Sequence, residues 1–372
     1  MMRNTEAVIT SRGKSDYSYL RTGKGVEALI TLPGVNTNSP KFGIIKVTDS
    51  GEDGEKRELT KVAYAQDYAI DDIRKYNERE EEVPIPYEDL GEGLTLLADT
   101  IPELKKFDEK AKRVFGAIII ELSSQDLEEE GKASNTVYLD VKKVQEEFNL
   151  QDIDDVRQQI REGLENLYSA TIYYKDTDDR GTFRMKGRIL QASGSSLSHG
   201  LYKVKVTDDF LKFIIKDNQF KAYFPNRVLA YTNKTDINKS TVLAKLNFNY
   251  RRNQKNGTRR NHTISIRELY ECTSLPTVET VRASKGGNIA QRTISALVNI
   301  LCTLTDNGDL NYWYFANEHG AELSTIAVEK MKAEQWMKLN VYYELNGYPV
   351  IEQKQITKKK KKKKKKEEQH DN

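Results

Sequence analysis

The sequence predicts an α+β chain in which one unit, three helices followed by a β-hairpin, occurs twice behind a small β-containing N-terminal extension. Three observations carry this. Apolar residues recur at spacings of three and four over 104–122, 141–148 and 156–167, and again over 242–250, 266–272 and 289–300. Each set runs on into strand-like stretches, TIYYK and TFRMKGRIL in the first, NYWYF and KLNVYYEL in the second. The sets also align. Leu139-Asp140-Val141 matches Ile264-Ser265-Ile266 at an offset of 125, and Val156, Gly163, Leu164 and Leu167 match Ile289, Ala296, Leu297 and Ile300 at an offset of 133. So long a period marks duplicated domains, not a solenoid.

Taken in order, residues 1–25 are polar and read as an arm. The runs 42–48 and 58–65 flank the turn-rich SGEDGEKR and predict a hairpin. Residues 71–93 are dominated by acids, hold Pro84 and Pro86 and end at Gly91 and Gly93, which reads as a linker closing an extension over 1–98. Leu104, Phe107, Ala111, Val114, Phe115, Ile118 and Leu122 then line one helical face. Asp140 is placed to cap a second helix whose Val141, Val144 and Phe148 point inward. Val156, Ile160, Leu164 and Leu167 mark a third, and 171–190 a hairpin turning at 176–181. Three helices and a hairpin are the order of a winged helix, a helix-turn-helix whose hairpin wing flanks the reading helix. The sequence thus predicts two tandem winged-helix (helix-turn-helix) domains, over 99–225 and 226–356. The second has helices over 239–253, 262–275 and 288–302, with PTVETVRASKGG lengthening the link between the last two. Residues 357–372 carry nine consecutive lysines, which repel and cannot bury, and are expected to be a disordered tail.

Composition excludes several function classes. The longest apolar run, Val114–Ile120, has seven residues, far below the ~18–20 of a membrane helix. The N-terminus lacks the apolar stretch of an export signal, so a cytoplasmic protein without membrane contact is expected. Cys272 and Cys302 lie 30 residues apart in apolar helical patterns and make no disulfide framework. His199, His262, His319 and His370 are scattered, so no metal site is expected. Nor is a cofactor or a catalytic residue: no G-x-x-x-x-G-K-[ST] loop and no G-x-S-x-G elbow is present. The formal net charge of +3 hides an asymmetry of +3 over 1–50, −16 over 51–180 and +16 over 181–372. A basic C-terminal half beside an acidic middle calls for a polyanionic partner, with double-stranded DNA the first candidate.

Three groups of residues could meet that partner. Asn288, Gln291, Arg292 and Ser295 share one face of the second unit's third helix, as reading base edges in the major groove requires. Arg251, Arg252, Lys255, Arg259 and Arg260 form a basic cluster bending at Asn256-Gly257, joined by Arg282 and Lys285 before the third helix, and suit phosphate contacts. Arg184, Lys186 and Arg188 alternate on the first unit's predicted wing. The first unit's third helix carries Asp152, Asp154, Asp155, Glu162 and Glu165, which repel phosphate, so it is expected to be the weaker reader.

With LKKFDEKAKRVFGAIIIEL, TVYLDVKKVQEEFNL, STVLAKLNFNYRRN, TISIRELYECTSL, NIAQRTISALVNIL and the closing QWMKLNVYYEL, the chain resembles the plasmid replication initiator (Rep) family, tandem winged-helix proteins that bind origin repeats (iterons). The resemblance covers roughly 99–350. It implies sequence-specific binding of repeats by the second domain, a homodimer through the first, melting of an AT-rich origin, recruitment of host replication proteins and repression of the protein's own promoter. The alternative readings are a winged-helix transcriptional regulator, and a DNA nickase or primase-like enzyme using Asp152, Asp154 and Asp155 or Asp176, Asp178 and Asp179. A further one is a structural adaptor whose acidic middle binds a basic partner.

Overall fold

The computed structural model describes residues 17–348 apart from short stretches, the longest being 66–77, 126–132 and 284–291. Both expected copies are present. In the first, α3 (Glu109–Ser123) is followed by β6 (Thr136–Asp140), α4 (Val141–Phe148) and α5 (Ile153–Ser169), and the unit closes with β9 (Leu190–Leu197) and β10 (Leu201–Val206). In the second, α8 (Ile237–Arg252) is followed by β14 (Thr263–Ser265), α9 (Ile266–Glu271), α10 (Val278–Ala283) and α11 (Ile294–Asp306), with β15 (Leu310–Ala316) and β17 (Asn340–Leu345) closing it. The sheets have the same strand order, β6-β10-β9 and β14-β17-β15, the latter extended by β16 (Glu322–Leu323).

The aligned tripeptides occupy the same joint. Leu139 and Ile264 are buried at the ends of β6 and β14. Asp140 accepts from the amides of Lys142 and Lys143, and Ser265 from that of Glu268, so each caps the next helix, a bond worth ~1 kcal/mol. Val141 and Ile266, both buried, then donate their amides to the residue just before the third strand, Gly200 and Leu339. Capping ends the strand and starts the helix within one residue, which is why the pattern is visible twice. Gly163 lets α5 cross α3 closely, since a Cβ there would lie 2.5 Å from Val114 Cγ2.

The hairpin expected over 42–65 forms, β2 (Phe42–Ser50) against β3 (Lys56–Ala65) in unbroken antiparallel register. It does not stand apart from the first copy. β3 pairs with β5 (Gly93–Ala98), β5 with β7 (Thr171–Asp178), and β7 with β8 (Gly181–Arg188), in a six-stranded sheet whose other edge is β4 (Ile85–Pro86). One face, with Val62, Tyr64, Leu94, Leu96, Ile172 and Tyr174, joins the main core. The other holds Ile45, Val47, Ala63, Ala65, Leu97 and Tyr173 under Tyr87 and Leu90, a separate small core. The sheet curls, so that Lys186 on one edge reaches Asp49 near the other at 2.6 Å.

This corrects the expected wing. The hairpin carrying Arg184, Lys186 and Arg188 belongs to that six-stranded sheet, because β5, from the segment adjoining the acidic linker, supplies β7 with a partner. The wing of the first copy is β9–β10. The arm expected over 1–25 is also revised from Tyr17 onward: β1 (Tyr17–Thr22) pairs with β11 (Phe220–Pro225), and α1 (Lys24–Ile30) is buried from Gly25 to Ile30. Among the described residues no helix is long and apolar enough to cross a membrane. The lysine tail lies outside the described residues.

Candidate nucleic-acid interface

In the second copy the helix expected over 288–302 is interrupted at Thr293 within the described residues: Arg292 is helical, and α11 (Ile294–Asp306) resumes beyond it. Thr293 is buried at the start of α11 with φ −108°, ψ −71°, and its carbonyl accepts from Tyr270 Oη at 2.7 Å as well as from the Leu297 amide. Two β-branched residues in succession, Thr293 and Ile294, disfavour helix where the tyrosine takes hold. Arg292 is exposed just ahead of this start and Ser295 is half-buried in the first turn, so they sit on either side of the break. Asn288, Gln291 and Lys285 lie outside the described residues. Of the residues expected to face inward, Ile294, Leu297 and Ile300 are buried, and Ile289 lies outside the described residues; Leu301 and Leu304 are buried as well.

The basic cluster is arranged as a ribbon. Arg251 and Arg252 end α8, and β12 (Gln254–Lys255) turns back onto β13 (Thr258–Arg259), pairing Gln254 with Arg259 and Lys255 with Thr258. The bend read at Asn256-Gly257 falls between the two strands, on residues outside the described ones. The side chains of Arg252, Lys255 and Arg259, and all of Arg260, lie outside the described residues. Arg282, exposed near the end of α10, forms an ion pair with Glu334, whose carboxyl it holds below the usual range.

That pair ties α10 to an insertion between β15 and β17 that no apolar periodicity announces. The insertion carries α12 (Thr325–Glu329) and α13 (Ala333–Trp336). It is anchored by the fully buried Trp336, edge-on to Tyr270 at 5.4 Å, and it exposes Lys330, Lys332 and Lys338. Three lysines around one tryptophan in EKMKAEQWMK are the signal the sequence does offer. The outward face of the same sheet is different: Tyr314 and Tyr342 stack at 4.8 Å, Tyr312 and Tyr342 at 6.2 Å, and a hydrogen bond with Glu344 pushes Tyr312 up to about 12.

In the first copy, the observed wing alternates Tyr202, Val204 and Val206 inward with Lys203 and Lys205 outward. That period-two pattern is legible in the sequence, although the expected wing lay elsewhere. Of the residues expected on that wing, Arg184 is exposed, Lys186 is held by Asp49 and lies 3.8 Å over the Tyr87 ring, and Arg188 lies 5.2 Å from the Tyr168 ring centre. The acids of α5 have local duties. Asp152 accepts the Asp154 amide at 2.8 Å at the helix start, Asp154 pairs with Arg157, and Glu162 pairs with Lys110 of α3. Asp176 pairs with Lys24, and Asp179 lies outside the described residues. Burial pushes the Cys272 thiol up to about 11.

Comparison with known proteins bears on the first copy. Residues 100–235 match the family described as initiator replication protein, WH1. Two crystal structures of domains 2 and 3 of RctB align at 11% identity. One, of a selenomethionine derivative, covers 87% of this chain and 99% of that one with a TM-score of 0.38; the other covers 86% and 96% with a TM-score of 0.32. No curated protein matches the chain. The first winged helix of this chain, within residues 100–235, is thus similar to that of initiator replication proteins.

Proposed function

We propose that this protein is a replication initiator that binds double-stranded DNA sequence-specifically at origin repeats, nucleates replication there and represses its own promoter. One observation carries the reading: the initiator-type first winged helix is succeeded in the same chain by a second copy of the same strand order, with a basic ribbon and an exposed arginine beside its third helix. Arg292 and Ser295, with Asn288 and Gln291, read base edges. The ribbon of Arg251, Arg252, Lys255, Arg259 and Arg260, together with Arg282 and Lys285, holds phosphates, joined by Lys330, Lys332 and Lys338. On the first copy Lys203 and Lys205 of the wing replace Arg184, Lys186 and Arg188 as the phosphate contacts. The reading includes a homodimer through the first copy and contacts with host replication proteins, and it requires neither cofactor nor catalytic step.

Footprinting on the DNA that adjoins the gene tests it. Protection of several direct repeats beside an AT-rich stretch is expected, whereas a single inverted repeat over a promoter would favour a transcriptional regulator. Nicking of supercoiled DNA in magnesium would overturn the non-catalytic part. In a salt series, Lys203→Ala and Lys205→Ala should each flatten the logarithmic dependence of affinity on salt by about one unit, for every sequence alike.

A further inference from the structure

The segment that reads as a polar arm lies between the two winged helices and touches both. On the first copy's side, α1 fits against Phe213 and Tyr174 so closely that a Cβ on Gly25 would lie 2.4 Å from Phe213 Cζ. Just beyond, the carbonyl of Leu32 accepts from Lys112 of α3 at 2.7 Å. On the second copy's side there are three attachments. Glu27, 6% exposed, pairs with Lys245 of α8 at 3.5 Å. Tyr17 donates from Oη to the carbonyl of Asn346 at 2.8 Å and packs edge-on against Tyr348 at 5.6 Å. Lys41 donates to the carbonyl of Glu271, at the end of α9. These three points, on a long helix, at the end of the last strand and at the end of a short helix, are spread over the second copy. A body held at three separated points resists pivoting, and these points add to the path through β11 and α7 (Arg227–Ala230), where Leu229 packs on Gly116 of α3, Phe224 on Phe248, and Arg227 pairs with Asp309. The Glu27–Lys245 pair is directional as well, because separating two half-desolvated charges leaves each without a counterion.

We propose that residues 17–32, together with Lys41, are a strut that sets the distance and angle between the two winged helices, and so determines which separation of DNA contacts the protein accepts. This rests on the DNA-binding reading above. The first copy's wing and the second copy's third helix then meet the duplex at one fixed helical phase.

The test combines two measurements on the full chain. Spin labels on Cys302 and on a Glu165→Cys substitution report the distance between the copies without DNA. The wild type is expected to give one narrow distribution, and Tyr17→Phe/Glu27→Gln/Lys41→Ala a broad one. Tyr17→Phe/Lys41→Ala, which alters no buried charge, replaces the triple variant if melting shows that to be unfolded. On DNA, lengthening the protected site by 5 base pairs between its two contacted halves, about half a turn, should weaken the wild type about tenfold or more, and the variant about twofold. A folded variant that keeps the narrow distribution, or keeps the full spacing penalty, overturns the proposal. If the wild type protects no duplex, the DNA-binding reading fails, while the distances still decide whether the strut fixes the two copies.

Discussion

The two winged helices share a backbone plan and differ in what they turn outward. Their joints are superposable in kind: a buried aliphatic residue, a capping oxygen, a buried β-branched residue, and an amide reaching the third strand. Their third helices are not. At the offset of 133, Asn288, Gln291, Arg292 and Ser295, the residues proposed to read bases, stand where the first copy has Asp155, Gln158, Gln159 and Glu162. Caps and core residues fold both copies alike, and the residues outside that set are where the two differ. The first copy puts carboxylates, Asp155 and Glu162, where the second has Asn288 and Ser295, and the uncharged Gln159 where it has Arg292.

Three measurements break or sharpen this comparison. The largest effect concerns what is shared. Leu164 and Leu297 are equivalent and buried, so Leu164→Ala and Leu297→Ala should each cost ~2–5 kcal/mol in denaturant unfolding. A near-zero cost in one copy would end the claim of equivalent cores. Next comes what differs: Arg292→Ala should lose ~1–3 kcal/mol of DNA affinity and relax preference at one base position. Gln159→Ala, its counterpart, should leave gel-shift affinity unchanged, and equal losses would abolish the division of labour.

The smallest effect is one of pH. Glu147 and Cys272 are equivalent at the offset of 125. Burial, reinforced by Glu121 and Glu146 against the pull of Lys143, pushes Glu147 up to about 7. The native state therefore holds that proton more tightly than the unfolded chain. Its contribution to stability is greatest below the ordinary carboxylate range and is lost as pH rises to about 7. Glu147→Gln should flatten that decline in the melting temperature. Cys272→Ala should leave it in place, since that thiol, pushed up to about 11, does not titrate there.

What is legible in the sequence is local. The helix caps at Asp140 and Ser265, the inward faces of α3, α5 and α11, and the 42–65 hairpin all rest on contacts within a few residues. What escapes is distant or composite. β5 meets β7 across some 75 residues, and without that pairing 171–188 looks like a wing. The strut escapes because a short helix holding a glycine and a glutamate has no apolar periodicity, being buried on every side. The interruption at Thr293 escapes because it coincides with a hydrogen bond from a tyrosine of α9 to a carbonyl on the expected helix, a contact no spacing encodes.

The bond from Tyr17 to Asn346 spans 329 positions. During synthesis α1 must wait for Tyr174 and Phe213 to emerge, and Tyr17 must wait for its partner until nearly the whole polypeptide has left the ribosome. For that interval the nascent chain exposes a sticky, half-formed layer, and β5 likewise waits as an open edge for β7 to emerge. Slow translation or a stalled ribosome near the C-terminus would prolong the exposure, so yield in the cell should depend on chaperone supply more than the size of either winged helix would lead one to expect.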